Sequence, residues 1–187
     1  MRTSRESLRL LLWVVMRRLT ILLFVPVVLV MATAMSGQPA PPGTSESAAA
    51  FKQLVSLVGE WQGVQDGVEI KVTCTLTANG SALMEEDKPA NSGAMITMFT
   101  VDGDHLIATH YCSVGNQPQM ATRTIGDLEK DGLTFSLVRV TGMKTPEDWH
   151  NTDLTVTQED KDHITQRWNY LYKGKAGTTI FHYARKK

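Results

Sequence analysis

Residues 68–77 read Val68-Glu69-Ile70-Lys71-Val72-Thr73-Cys74-Thr75-Leu76-Thr77, apolar and polar in strict alternation. Consecutive side chains on an extended strand point to opposite faces, so this stretch specifies a strand with one face in a core and one in water. Turn signals bracket it and recur along the rest of the chain: Asp66-Gly67, Asn79-Gly80, Asp102-Gly103, Gly115-Asn116, Asp131-Gly132, Asp160-Lys161 and Lys173-Gly174. Asn-Gly and Asp-Gly suit the positive φ angles of tight hairpins. Short strands joined by such turns, with no helical pattern between them, predict an all-β sandwich or an up-and-down barrel. About ten strands fit between Glu60 and Arg185, and a meander of that length does best by closing, because closure removes unpaired edges. The expectation is an antiparallel barrel of about ten strands over residues 51–187, with one short N-terminal helix across an end.

That helix is read from Phe51, Leu54, Val55 and Val58, which recur at three and four, after Ser45 or Ser47 as a cap and before Gly59 as a stop. Upstream, residues 35–50 are rich in Pro, Ser, Gly and Ala and read as a linker. Residues 1–34 read as an export signal: Arg17-Arg18, an apolar run from Leu19 to Ala34, and Ala32-Thr33-Ala34 as a cleavage site. The alternative is an uncleaved anchor, for which the run is short and interrupted by Pro26. Met16 is a second candidate start. The expected location is periplasmic or secreted, with membrane contact only through this segment.

Lys plus Arg and Asp plus Glu each number 19, but the first 34 residues hold five Arg and one Glu, which leaves 14 basic and 18 acidic residues in the body. A mildly acidic body without a basic stripe argues against nucleic acid as a partner. No Gly-rich phosphate loop, nucleophile elbow or paired-Cys metal spacing is present.

Gly59-Glu60-Trp61-Gln62-Gly63, at the start of the first strand and after a short helix, resembles the calycin-like barrels, which include lipocalins, nitrobindins and a large bacterial family of unassigned lipocalin-like proteins. The stretch Met95–Met120, with Asp102-Gly103-Asp104, Thr109-His110-Tyr111-Cys112 and Gly115-Asn116-Gln117-Pro118-Gln119-Met120, is similar to that unassigned family. The resemblance implies a structural role for Gly59, Trp61 and Gly63, with Arg185 of the last strand covering the Trp61 ring. It implies, as a second possibility, a haem barrel acting on nitrogen oxides or peroxides through His182, although Gln65 stands where the nitrobindin pattern has its third glycine.

Within the body, His110 shares parity with Leu106, Ala108 and Cys112, which places it inside. Its spacing from Cys112, about 6.5–7 Å on a strand, is too long for direct proton transfer. Cys74 also counts as inward, so a Cys74–Cys112 bridge and two free thiols are both open. Arg139 follows Leu133, Phe135 and Leu137 in steps of two; it either points inward, where Glu86 is a candidate partner, or is exposed by a bulge near Val138. Met98 and Met120 join Met84, Met95 and Met143 as flexible apolar lining. The expected function is binding of a small apolar or amphipathic molecule by His110, Arg139, Cys112, Met98 and Met120, without catalysis and with no cofactor other than haem in the alternative.

Overall fold

The computed structural model describes residues 45–187; the segment expected to be an export signal, the expected cleavage site, the second candidate start and most of the expected linker lie outside the described residues. Helix α1 (Ser45–Val55) begins within the stretch read as linker, because Ala48-Ala49-Ala50 favours a helix. Ten strands follow: β1 (Gly59–Gln65), β2 (Val68–Thr77), β3 (Ala82–Pro89), β4 (Met95–Asp102), β5 (His105–Tyr111), β6 (Gln117–Thr122), β7 (Leu133–Thr141), β8 (His150–Asp160), β9 (His163–Tyr172) and β10 (Lys175–Arg185). Each is antiparallel to the next, and β10 returns to β1 to close the barrel. The alternation read at residues 68–77 is β2, with Ile70, Val72 and Cys74 buried in the lumen.

Helix α1 plugs the end at which β4 and β8 finish. Phe51, Leu54 and Leu57 are buried there, whereas Val58 is exposed beyond the helix end. Ser47 Oγ donates to the Gly103 carbonyl in the β4–β5 turn (2.8 Å), the Leu128 amide donates to Gln53 Oε1 (3.2 Å), and Ser56 Oγ donates to Gln158 Oε1 (3.0 Å). The helix is therefore tied to three separate parts of the rim.

Trp61 joins plug to wall. Its ring is 1% exposed, and its indole N–H donates to the Leu57 carbonyl at 2.8 Å. Trp61 and Arg185 are directly paired across the β1–β10 seam, and the guanidinium carbon lies 4.0 Å from the centre of the Trp61 ring. The same guanidinium donates to the carbonyls of Val58 (2.9 Å), Ser56 (3.0 Å) and Lys161 (3.0 Å). The Ser56 and Val58 carbonyls are acceptors left free just past the helix end, and that of Lys161 lies in the β8–β9 turn. Two glycines make the approach possible. Gly59 sits at φ +136°, and a Cβ there would meet Arg185 Nη1 at 2.8 Å; a Cβ at Gly63 would run into the His182 carbonyl and the Tyr183 ring.

Removing the indole should leave a large void and an orphaned guanidinium. Trp61→Ala is expected to lower unfolding free energy by about 3–5 kcal/mol. Arg185→Met, which keeps the aliphatic stem but frees the three carbonyls, should cost about 1–3 kcal/mol. Urea denaturation of both variants checks this, and less than about 1 kcal/mol for Trp61→Ala would contradict the role given to the ring.

Candidate functional site

Register decides which side chains enter the lumen, since directly opposed residues share a face. Inward Cys74 pairs with Glu85, Glu85 with Thr97, and Thr97 with His110, so one polar row crosses four adjacent strands. This reverses the expected phase of β3. Leu83, Glu85 and Asp87 face in, while Met84 and Glu86 face out, and Glu86 makes an ion pair with Lys88 (2.7 Å) rather than with an interior arginine. The sequence Met84-Glu85-Glu86-Asp87-Lys88 has no alternation, and only the pairing with β2 settles its faces.

The row is cross-linked through the lumen from β9. Gln166 Nε2 donates to Glu85 Oε2 at 2.7 Å, Trp168 Nε1 donates to Gln166 Oε1 at 3.0 Å, and the Cys74 thiol approaches Glu85 Oε2 at 3.9 Å. His110, 3% exposed, pairs its Nδ1 with Thr97 Oγ1 at 2.9 Å and packs against Trp168 with ring centres 4.8 Å apart. Burial pushes His110 down to about 4, so it is neutral at physiological pH. Burial pushes the Cys74 thiol up, as do the carboxyl groups beside it.

Glu85 and Asp87 are 1% and 6% exposed, and no buried lysine or arginine is present among the described residues to neutralise them. Glu85 Oε1 and Asp87 Oδ1 have no hydrogen-bond partner. Burial first, and the adjacent Asp87 second, push Glu85 well above the usual carboxylate range, against the opposing pull of Gln166. Asp87 is pushed up to about 7 by burial, with Glu86 adding to the effect. The Tyr183 hydroxyl is pushed up by burial and by the same carboxyl groups.

Toward the end opposite α1 the lumen opens into a pocket of about 130 Å³. One side is aromatic: Trp149 ahead of β8, Trp168 and Tyr170 on β9, and Phe181 and Tyr183 on β10. Phe181 and Tyr183 stack with centres 5.9 Å apart, and Trp149 and Tyr170 pack at 5.5 Å. Ile70, Asp87, Pro89 and Met95 form the opposite side, with His110 between them. Trp149 owes its place to a tied loop. Asp148 accepts from the Lys144 and Thr145 amides (2.8 and 3.1 Å) and from Thr145 Oγ1 (2.8 Å), and Asn116 Nδ2 donates to the Trp149 carbonyl (2.6 Å). His150 is buried at the start of β8, with Nδ1 2.8 Å from the Asp148 carbonyl oxygen.

Of the residues expected to hold the ligand, His110 alone lines this pocket, and of the methionines expected as apolar lining it is Met95 that does so. Arg139 does not enter the lumen: Gln119 pairs with Arg139 but Met120 with Leu137, so Val138 is a bulged residue, 63% exposed, and the parity of β7 flips beyond it. Arg139 Nε donates to Gln119 Oε1 (3.0 Å) on the outer face. Met98 also faces outward, between inward Thr97 and Phe99. Met120 is fully buried but in the core, against Ala108. Cys112 lies half-buried in the β5–β6 turn, and neither cysteine is bonded. His182 is exposed, paired with Thr165 Oγ1 at 2.9 Å, because Phe181 and Tyr183 are the inward pair of β10. It is not placed to bind iron in the lumen, and the residues do not fit the haem alternative. Among the described residues no cluster of three or more His, Cys, Asp or Glu is placed for a metal ion.

Sequence reasoning missed Glu85, Asp87, Gln166 and Tyr183. Ile164, Gln166 and Trp168 do alternate with Thr165 and Arg167, which was a usable signal. The buried acid has a measurable consequence. Asp87 has a folded pKa of about 7, above its ordinary 3.8, so the folded state holds an extra proton between those values. Its contribution is most favourable near the lower value, declines as pH rises, and levels off above about 7. Asp87→Asn should therefore become progressively more stable than the parent between pH 4 and 8, reaching roughly 1–4 kcal/mol. Urea melts across this range test it, and a pH-independent difference would contradict a raised Asp87.

A closed ten-stranded antiparallel barrel with a helix across one end is consistent with a calycin-like fold. No protein-family model matches the chain, and no curated protein matches it either.

Proposed function

We propose that this barrel is a binding protein for a small, largely apolar or aromatic molecule held in the pocket at its open end. The observation that carries the reading is the wall of five aromatic side chains facing a few fixed polar groups, the usual make-up of a small-molecule site. The size is informative, because about 130 Å³ is close to the roughly 150 Å³ that accommodates a benzene ring. Binding is favoured over catalysis by the state of the interior groups. The Cys74 thiol is held protonated and His110 neutral, and Glu85 and Thr97 stand between them in the row. The Gly59-x-Trp61-x-Gly63 motif and the Arg185 stack support a lipocalin-like kinship.

We further propose that the protein is exported, on the strength of Arg17-Arg18, the apolar run and Ala32-Thr33-Ala34. N-terminal sequencing of the secreted or periplasmic product should begin at or within a few residues of Met35; an intact Met1 or Met16 would contradict it.

Trp149 and Trp168 both line the pocket, so a ligand there should change tryptophan fluorescence. Small monocyclic aromatics are expected to perturb it saturably. Thr179→Trp, placed at the half-buried mouth, should fill the pocket and weaken that binding by about tenfold or more while preserving the melting temperature. Equal affinity in Thr179→Trp and parent would place the ligand elsewhere.

A further inference from the structure

The pocket is chemically lopsided. On the β9 and β10 side stand Trp168, Tyr170, Phe181 and Tyr183, whose ring faces carry negative potential. On the β3 side stands Asp87, nearly fully buried, with Oδ1 unpartnered. The two sides face each other. The Gln166–Glu85 hydrogen bond spans the lumen between β9 and β3, and both strands run toward the open end. Asp87 lies two residues beyond Glu85 and Trp168 two residues beyond Gln166, so each is one step nearer the mouth on the same inward faces.

No lysine or arginine lines this pocket. Arg185, whose guanidinium covers the Trp61 ring, is committed to three backbone carbonyls at the closed end. Two carboxyl groups thus sit in a low-dielectric lumen without a cation, an arrangement that leaves polar capacity unused. A neutral apolar ligand would leave Oδ1 orphaned, and an anion would meet both Asp87 and Glu85. An ammonium group would supply a donor to Oδ1, neutralise the carboxylate, and lie against the ring faces.

We propose that the ligand is a small organic cation, an arylalkyl- or alkylammonium, with its nitrogen held between the Asp87 carboxylate and the Trp168 and Tyr183 rings. The proposal rests on the binding-pocket reading above and deepens it to a ligand class. Asp87 supplies charge and direction, and the aromatic wall takes the hydrocarbon part.

The test uses the full chain at about pH 8, where a carboxyl titrating near 7 is ionised. Benzylammonium, benzyl alcohol and benzoate, matched in size and differing in charge, are titrated against tryptophan fluorescence. Benzylammonium should bind at least about tenfold more tightly than benzyl alcohol, with benzoate weakest. In Asp87→Asn the cation's advantage over benzyl alcohol should shrink to about twofold or less, and a cooperative urea transition reports that the variant is folded. Benzyl alcohol matching benzylammonium in the parent, or a preference that survives Asp87→Asn, would overturn the cation assignment and leave the aromatic pocket standing. Binding of no probe up to about 10 mM would overturn both.

Discussion

The Arg185 guanidinium over Trp61 is the contact on which the rest of the barrel depends. The β1–β10 seam has two directly opposed pairs, whereas the neighbouring β10–β9 ladder has ten. Backbone hydrogen bonding at the seam is therefore short, and side chains complete it. Arg185 stacks on the indole and reaches carbonyls from the helix end and the β8–β9 turn, while Lys186 pairs with Glu60 at 2.9 Å. A cation–π contact of about 0.5–2 kcal/mol alone would not hold such a seam. Its weight comes from joining three separate segments at one planar group, which arginine's fixed fork permits and lysine's point charge does not.

Closing one end with a helix and a tryptophan determines what the other end can be. The helix end is filled by Leu54, Leu57, Trp61, Leu83 and Phe99, all essentially inaccessible to solvent. At the opposite end the lumen is spanned by larger, flatter side chains that stack along the wall and leave space between them. Across the middle, Cys74, Glu85, Thr97 and His110 form a polar row tied to Gln166 and Trp168. Buried polar groups are tolerated when paired, and most of this row is. One oxygen of Glu85 within the row and one of Asp87 a step beyond it are unpaired, and they mark where the interior is built for something beyond packing.

How much of this was legible follows from how each element encodes its face. β2 was plain, because five apolar residues alternate with polar ones. The Trp61–Arg185 contact was legible only through the resemblance to calycin-like barrels, which implies an arginine of the last strand over the tryptophan of the first. β3 was not, since three consecutive acids carry no phase and only pairing with Cys74 turns Glu85 inward. β10 misled for the opposite reason: Ile180, Phe181 and Tyr183 place large nonpolar or aromatic groups on both faces, and the exposed Ile180 carries His182 outward with it. For Arg139 the sequence left two readings open, inward or exposed by a bulge near Val138, and the structure has the second; step-of-two parity alone could not choose between them. The pocket itself is a property of side chains meeting across the lumen, from strands far apart in the chain, and no local pattern announces it.

An interior carboxyl without a countercharge gives the pocket its direction, and that group can be observed directly. The side-chain carboxyl carbon of Asp87, assigned by comparison with Asp87→Asn, can be followed by NMR from acid to alkaline pH. A midpoint near 7 is the result expected of a carboxyl buried against an aromatic wall with no cation beside it. A midpoint near the ordinary 3.8 would mean that Asp87 is solvated or paired, and the pocket would lose the feature that gives it a direction.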